Sequence, residues 1–191
     1  KVLVLSPYPE NILRSFHDEG DEYIIYNNIL ELDFIIKKEI DFIVSYGYKY
    51  LISEIIINSM KNAIINLHIS FLPFNRGCYP NLWSHIDLSP SGVSIHKIDK
   101  GIDTGDVLLR RKVLIKPDEH NFLSSYKLLK SNIEDLFNDN WKYLRLDKLS
   151  KIYHNEKGSY HDKLQGDEIL AKLPQGWETN ISEALKIINN D

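Results

Sequence analysis

The sequence predicts an α/β protein whose mainly parallel sheet is flanked by helices. Three observations carry this reading. Short apolar runs suited to buried strands recur from residue 2 onward, stretches with a helical spacing of apolar residues separate them, and the two kinds of segment alternate. That alternation builds parallel sheets covered by helices.

The first run, Val2-Leu3-Val4-Leu5, ends at Ser6-Pro7-Tyr8-Pro9, a strand and then a turn of the kind that places ligands in α/β proteins. A helix over residues 10–19 closes at Gly20. Residues 22–26 read as the second strand, and 28–38 as a helix with Ile29, Leu32, Ile35 and Ile36 on its apolar face. The third strand, 41–47, leaves through Tyr46-Gly47-Tyr48. A helix over 52–60 leads to a strand over 63–67. A short helix over 81–86, an alternating and therefore half-buried strand over 92–98, a strand over 106–113 and an amphipathic helix over 121–140 complete the body. Residues 151–161 are predicted to form a β-hairpin turning at Asn155 to Gly158. An isolated hairpin is marginal in water, so it is expected to dock on the body or on a second copy of the chain. A short helix from Ser182 ends the sequence. The expected division is a body, 1–145, and a tail, 146–191.

A chain of 191 residues buries enough surface for one core. Hydrophobic residues at 43% and charged residues at 26% are ordinary for a globular protein, and a formal charge of -4 offers no basic surface to nucleic acid. Cys78 is the single cysteine, so folding does not depend on an oxidising compartment. No apolar run has the length of a signal peptide or a membrane span. The expected location is the cytoplasm, with no membrane partner.

The strongest chemical signal lies between Asn66 and Pro80, where an apolar strand hands over to a polar loop carrying an amide, an imidazole and a guanidinium. Residues two apart on a strand share a face, so Asn66 and His68 project together. Residues 97–106 supply carboxylates that the fold can bring to them. Such a set suits acyl transfer, in which an amine attacking a carbonyl carbon puts negative charge on the oxygen and sheds a proton. Asn66 offers an amide N–H and a protonated His68 a charge-assisted bond. Asp103 is expected to hold the His68 ring and favour its charged form.

Each of these residues also has a structural reading. A histidine near a strand end is more often a satisfied structural residue than a catalytic one. His96 faces either substrate or core, Asp99 closes its loop, and Asp106 caps a turn. Trp83 packs inside or offers a stacking platform. Arg76 forms a two-pronged donor for a diphosphate or anchors its own loop. Tyr153, Tyr160 and Trp177 serve equally as interface residues. His154 and His161 lack a cysteine or carboxylate to complete a metal site, and no metal is expected.

Taken in order, Asn66-Leu67-His68, Leu72-Pro73, Arg76-Gly77, Pro80, Gly92-Val93-Ser94-Ile95-His96 and Asp99-Lys100-Gly101-Ile102-Asp103-Thr104-Gly105-Asp106 resemble the N10-formyltetrahydrofolate-dependent formyltransferases. The likeness covers residues 42–114. It implies a Rossmann-like formyltransferase fold with N10-formyltetrahydrofolate as formyl donor. Asn66, His68 and Asp103 stand at the family's catalytic positions. It also implies a pterin slot lined by main chain at Tyr46, Gly47 and Tyr48 and at Asp99, Gly101 and Ile102.

Within that family the acceptor is a primary amine. The residues after Ile115 are too few for the C-terminal barrel of methionyl-tRNA formyltransferase, and the acidic balance lacks the surface tRNA needs. Ser6-Pro7-Tyr8-Pro9 replaces the glycine-rich turn of the purine enzyme. Residues 80–84, 158–161 and 173–177 are similar to the sugar N-formyltransferases. The resemblance therefore implies a nucleotide-linked amino sugar as partner, in surface polysaccharide (O-antigen, lipopolysaccharide) synthesis, with Tyr8, Arg76, Gly77, Asn81 and Trp83 binding it. A homodimer is expected from the hairpin. Formyl transfer to methionyl-tRNA or a purine precursor, formyltetrahydrofolate hydrolysis, and a binding module without turnover stay open.

Overall fold

Every residue of Val2-Leu3-Val4-Leu5 is buried, as a strand covered on both faces requires. In the computed structural model, which describes residues 1–61 and 63–190, the strands are β1 (Val2–Leu5), β2 (Tyr23–Tyr26), β3 (Phe42–Tyr46), β4 (Ile64–His68), β5 (Arg76–Gly77), β6 (Gly92–Lys97), β7 (Val107–Lys112) and β8 (Tyr160–His161). The helices are α1 (Leu13–Asp18), α2 (Leu32–Lys38), α3 (Glu54–Ser59), α4 (Pro80–Ile86), α5 (Phe122–Leu144), α6 (Lys163–Lys172) and α7 (Ile181–Asn189). Six strands form one sheet in the order β2-β1-β3-β4-β6-β7. β1 runs parallel to β2 and β3, and β3 runs parallel to β4. The mixed α/β architecture with a mainly parallel sheet is the one expected.

The chain divides into two units, neither continuous in sequence. Lys1–His68, Ile95–Leu109 and Glu134–Tyr153 make the first; Ile69–Ser94, Arg110–Ile133 and His154–Asp191 make the second. In the first, Leu3, Leu5, Ile35, Ile43, Ile56 and Ile64 pack into one apolar core. A second cluster joins Phe16, Phe137 and Trp141, whose rings lie 4.9 to 5.7 Å apart. In the second unit the buried residues include Leu72, Leu82, Val93, Phe122, Leu129 and Ile181.

Three sequence expectations are corrected. The helix expected over 28–38 starts only at Leu32, because Glu31 before it is extended. Ile35 is buried, whereas Ile29 lies ahead of the helix and Ile36 sits one residue, about 100° of helical turn, past Ile35; both face solvent. The strand β6 is buried rather than half-buried. Its polar residues pass inside because they are bonded there: Ser94 Oγ donates to the Ser70 carbonyl at 2.7 Å and accepts from Leu72 N–H at 3.0 Å.

The third correction concerns the hairpin. Residues 151–159 form no strand, and Tyr160–His161 instead pairs in parallel with Arg76–Gly77. Gly77 permits that close approach: its φ is +91°, and a Cβ there would lie 2.3 Å from the His161 carbonyl oxygen. The segment thus finds its partner within its own chain, and the reason for expecting a second copy falls away. Among the described residues no helix is long and apolar enough to cross a membrane.

Candidate active site

Strand β4 is anchored by Ile64, Ile65 and Leu67, all buried, and carries Asn66 and His68. The third member arrives from the loop after β6. There Asp99 Oδ1 accepts from Gly101 N–H at 3.0 Å and from Thr104 Oγ at 2.6 Å, and Lys97 N–H donates to the Asp106 carbonyl at 2.9 Å, closing the loop. Gly105 sits against the Lys97 carbonyl so closely that a Cβ would lie 1.8 Å from its oxygen. At the loop's inner bend Asp103 takes the left-handed conformation, φ +52°, uncommon for a residue with a side chain.

This geometry brings the expected residues together. Asp103 Oδ2 is 3.5 Å from His68 Nε2, and Asp103 Oδ1 is 3.4 Å from Asn66 Nδ2. A fourth group joins them: His96 Nε2 lies 3.2 Å from Asn66 Nδ2 and 3.4 Å from Asp103 Oδ1. The rings of His68 and His96 are edge to face at 6.1 Å. All four residues belong to the first unit. His96 is 2% exposed, which decides its sequence ambiguity in favour of the cluster.

A cavity of about 210 Å³ opens beside the cluster, with Asn66, His96 and Asp103 on its wall. Tyr48, Asp99, Gly101 and Ile102, expected along a pterin slot, line it as well. Ile98 and Lys100 flank these residues, and Ser45, Tyr50, Leu51 and Ile52 complete the wall; the last four were not singled out in the sequence. Tyr48 donates its hydroxyl to the Asn28 carbonyl at 2.6 Å, and burial pushes that hydroxyl above the usual tyrosine range.

Tyr46 and Gly47 are placed differently. The Tyr46 ring is buried and its hydroxyl donates to Glu134 at 2.8 Å. Gly47 has φ +66° and is covered by Tyr8, whose ring meets that of Tyr46 edge-on at 4.9 Å. Neither Tyr46 nor Gly47 is on the cavity wall.

The remaining expected residues lie in the second unit. Arg76 Nε donates to the Ser159 carbonyl at 3.3 Å, anchoring its loop. Asn81 is buried, and its two N–H groups go to the Phe122 carbonyl and Ser125 Oγ, both at 2.9 Å, so its amide has no donor to spare for a substrate. Trp83 stacks on His161 at 3.9 Å with the planes 5° apart, so one face of the indole is already covered. An apolar cavity of about 400 Å³ in this unit is walled by Tyr79, Phe122, Tyr126 and Trp177. The Tyr79 hydroxyl donates to Asp167 at 2.6 Å, and that bond raises it above the usual tyrosine range. Among the described residues no group of three or more His, Cys, Asp or Glu is arranged to hold a metal ion.

Comparison with known proteins bears on this geometry. Residues 32–134 match the family model described as Formyl transferase. The formyltransferase PseJ from Anoxybacillus kamchatkensis, solved with UDP-4,6-dideoxy-4-formamido-L-AltNAc and tetrahydrofolate, is 37% identical with a TM-score of 0.88, and the match covers 96% of each chain. A sugar N-formyltransferase from Shewanella shares the fold at 20% identity and a TM-score of 0.79, over 97% of this chain and 85% of that one. Methionyl-tRNA formyltransferase from Finegoldia magna is 43% identical over 109 residues, which is 55% of this chain but 35% of that protein. The chain therefore spans about a third of that curated relative.

Proposed function

The chain belongs to the formyl transferase family, and from that premise we propose that it transfers a formyl group from N10-formyltetrahydrofolate to the primary amine of a nucleotide-linked amino sugar. The observation that carries the acceptor class is likeness over whole chains: PseJ matches over 96% of both chains at 37% identity, whereas methionyl-tRNA formyltransferase from Clostridium tetani, 33% identical over 73% of this chain, is matched over only 47% of its own length. The cavity beside Asn66 supports the donor, since Tyr48, Tyr50, Leu51, Ile52 and Ile102 offer aromatic and apolar surface to a flat ring, and the backbone at Asp99 to Gly101 offers polar groups to its edge.

In this reading the neutral amine attacks the formyl carbon, and the new C–N bond forms as the bond to the donor nitrogen breaks. Asn66 and His68 stabilise the charge that builds on the formyl oxygen. Asp103 holds His68 and relays the proton shed by the amine, directly or through water, to the departing donor nitrogen, so that tetrahydrofolate leaves with its N10–H restored.

The test is incubation with the folate donor and a panel of nucleotide-linked 3- and 4-amino sugars, scored by a mass gain of one formyl group. Asn66→Ala and His68→Ala are each expected to lose about 10² to 10³ in rate while still folded. No product from any sugar would remove the acceptor class; formylated methionyl-tRNA would replace it, and formate release without an acceptor would point to a hydrolase.

A further inference from the structure

His96 is almost wholly buried, so both of its ring nitrogens must be accounted for within the fold. Nδ1 lies 2.8 Å from the carbonyl oxygen of Lys97, the next residue along β6. A carbonyl only accepts, so Nδ1 carries the proton. In a neutral ring Nε2 is then an acceptor, and the group facing it at 3.2 Å is the Asn66 amide nitrogen, which only donates. The second N–H of the same amide turns to Asp103 Oδ1 at 3.4 Å. Reversing the amide would set its oxygen against two acceptors. Protonating Nε2 would turn it from acceptor to donor, direct it to Asp103 at 3.4 Å and release Asn66.

We propose that His96 is a positioning residue for formyl transfer: its ring, fixed by the Lys97 carbonyl, holds one N–H of Asn66 and so directs the other toward the reacting oxygen. The division of labour follows from the geometry. The bond to His96 ends on a ring tied to the backbone, and it anchors the amide. The longer bond to Asp103 is the one that exchanges for the formyl oxygen when the donor binds. His96 reaches the wall of the donor cavity but is only 2% exposed, and it acts on the reacting oxygen through Asn66. The inference rests on the formyl-transfer reading of the site.

Two measurements test it. In protein labelled with 15N-histidine and free of substrate, NMR should find His96 as the Nδ1–H tautomer, with its Nε2 signal moved by Asn66→Ala; an Nε2–H tautomer would overturn the proposal. This arm needs no activity, so it stands apart from any failure of the functional reading, which would show as no formyl transfer by the unaltered protein. In the second arm, His96→Leu should lower kcat about tenfold at an unchanged KM for the folate donor. His96→Gln, whose amide oxygen reaches to the same place, should recover most of that loss. The double variant with Asn66→Ala should be no slower than Asn66→Ala alone. Unchanged kcat in His96→Leu, or losses that multiply in the double variant, would refute the role. Should His96→Leu fail to fold, the glutamine variant and the NMR arm still decide.

Discussion

His85 provides a quantitative test of the fold around α4. It is buried, its Nε2 has no hydrogen-bond partner among the described residues, and its ring stands 6.2 Å from that of Phe122. Burial, with a smaller contribution from His120, lowers its pKa from 6.5 to about 4. The unfolded chain therefore takes up this proton more readily than the fold does, and stability falls as pH drops below 6.5, levelling off only below the folded value. Between pH 7.5 and pH 5 the loss from this one group is about 2 kcal/mol. Urea unfolding of the protein and of His85→Leu at both pH values isolates it, because the carboxylates common to the two cancel in the difference. The unaltered protein should lose about 2 kcal/mol more than the variant, a midpoint shift of roughly 1 M urea. An equal loss in both would refute the reasoning and mean that His85 protonates within the fold as easily as outside it.

Three further outcomes follow from close contacts. Gly47→Ala places a methyl 2.0 Å from the Tyr8 hydroxyl in a left-handed residue, and should cost about 1–2 kcal/mol or more in urea unfolding. Ser94→Ala strips the Ser70 carbonyl and Leu72 N–H of a shared buried partner, with an expected loss of about 1–3 kcal/mol by the same assay. Gly105→Ala drives a methyl into the Lys97 carbonyl and moves the loop that presents Asp103, so kcat should fall about 100-fold while the far-ultraviolet circular dichroism stays native.

The strand spans were legible because their signals are local. Apolar runs bounded by Pro, Gly and polar turns placed β1, β3, β4 and β7 within a residue or two. The chemical set was legible from residue type and order, since Asn66 and His68 lie on one strand and Asp103 on a loop rich in glycine. Long-range pairing was not. Nothing near Tyr160 states that its ladder partner is Arg76, 84 positions earlier, and a short polar stretch with a central glycine reads equally well as a hairpin. Ser94 was misjudged, and His96 left open between substrate and core, for a related reason: alternation marks polar residues as outward until one knows that Ser70 and Asn66 wait for them inside. The helix α6 had a local signature that was passed over, the pair Asp162 and Gln165, which cap each other's backbone.

The pairing of β5 with β8 bears on whether the backbone must be continuous. Residues 153–157 are exposed and belong to no ladder. Beyond them the chain is gripped by other means: Ser159 accepts from Asn75 and Arg76 N–H, His161 stacks on Trp83 and bonds Asp87, and Asp167 receives the Tyr79 hydroxyl. Those contacts, rather than the peptide bonds at 154–157, hold residues 159–190 in place. Two pieces severed there, whether by a protease or by expression from separate genes, should complement one another as a noncovalent pair.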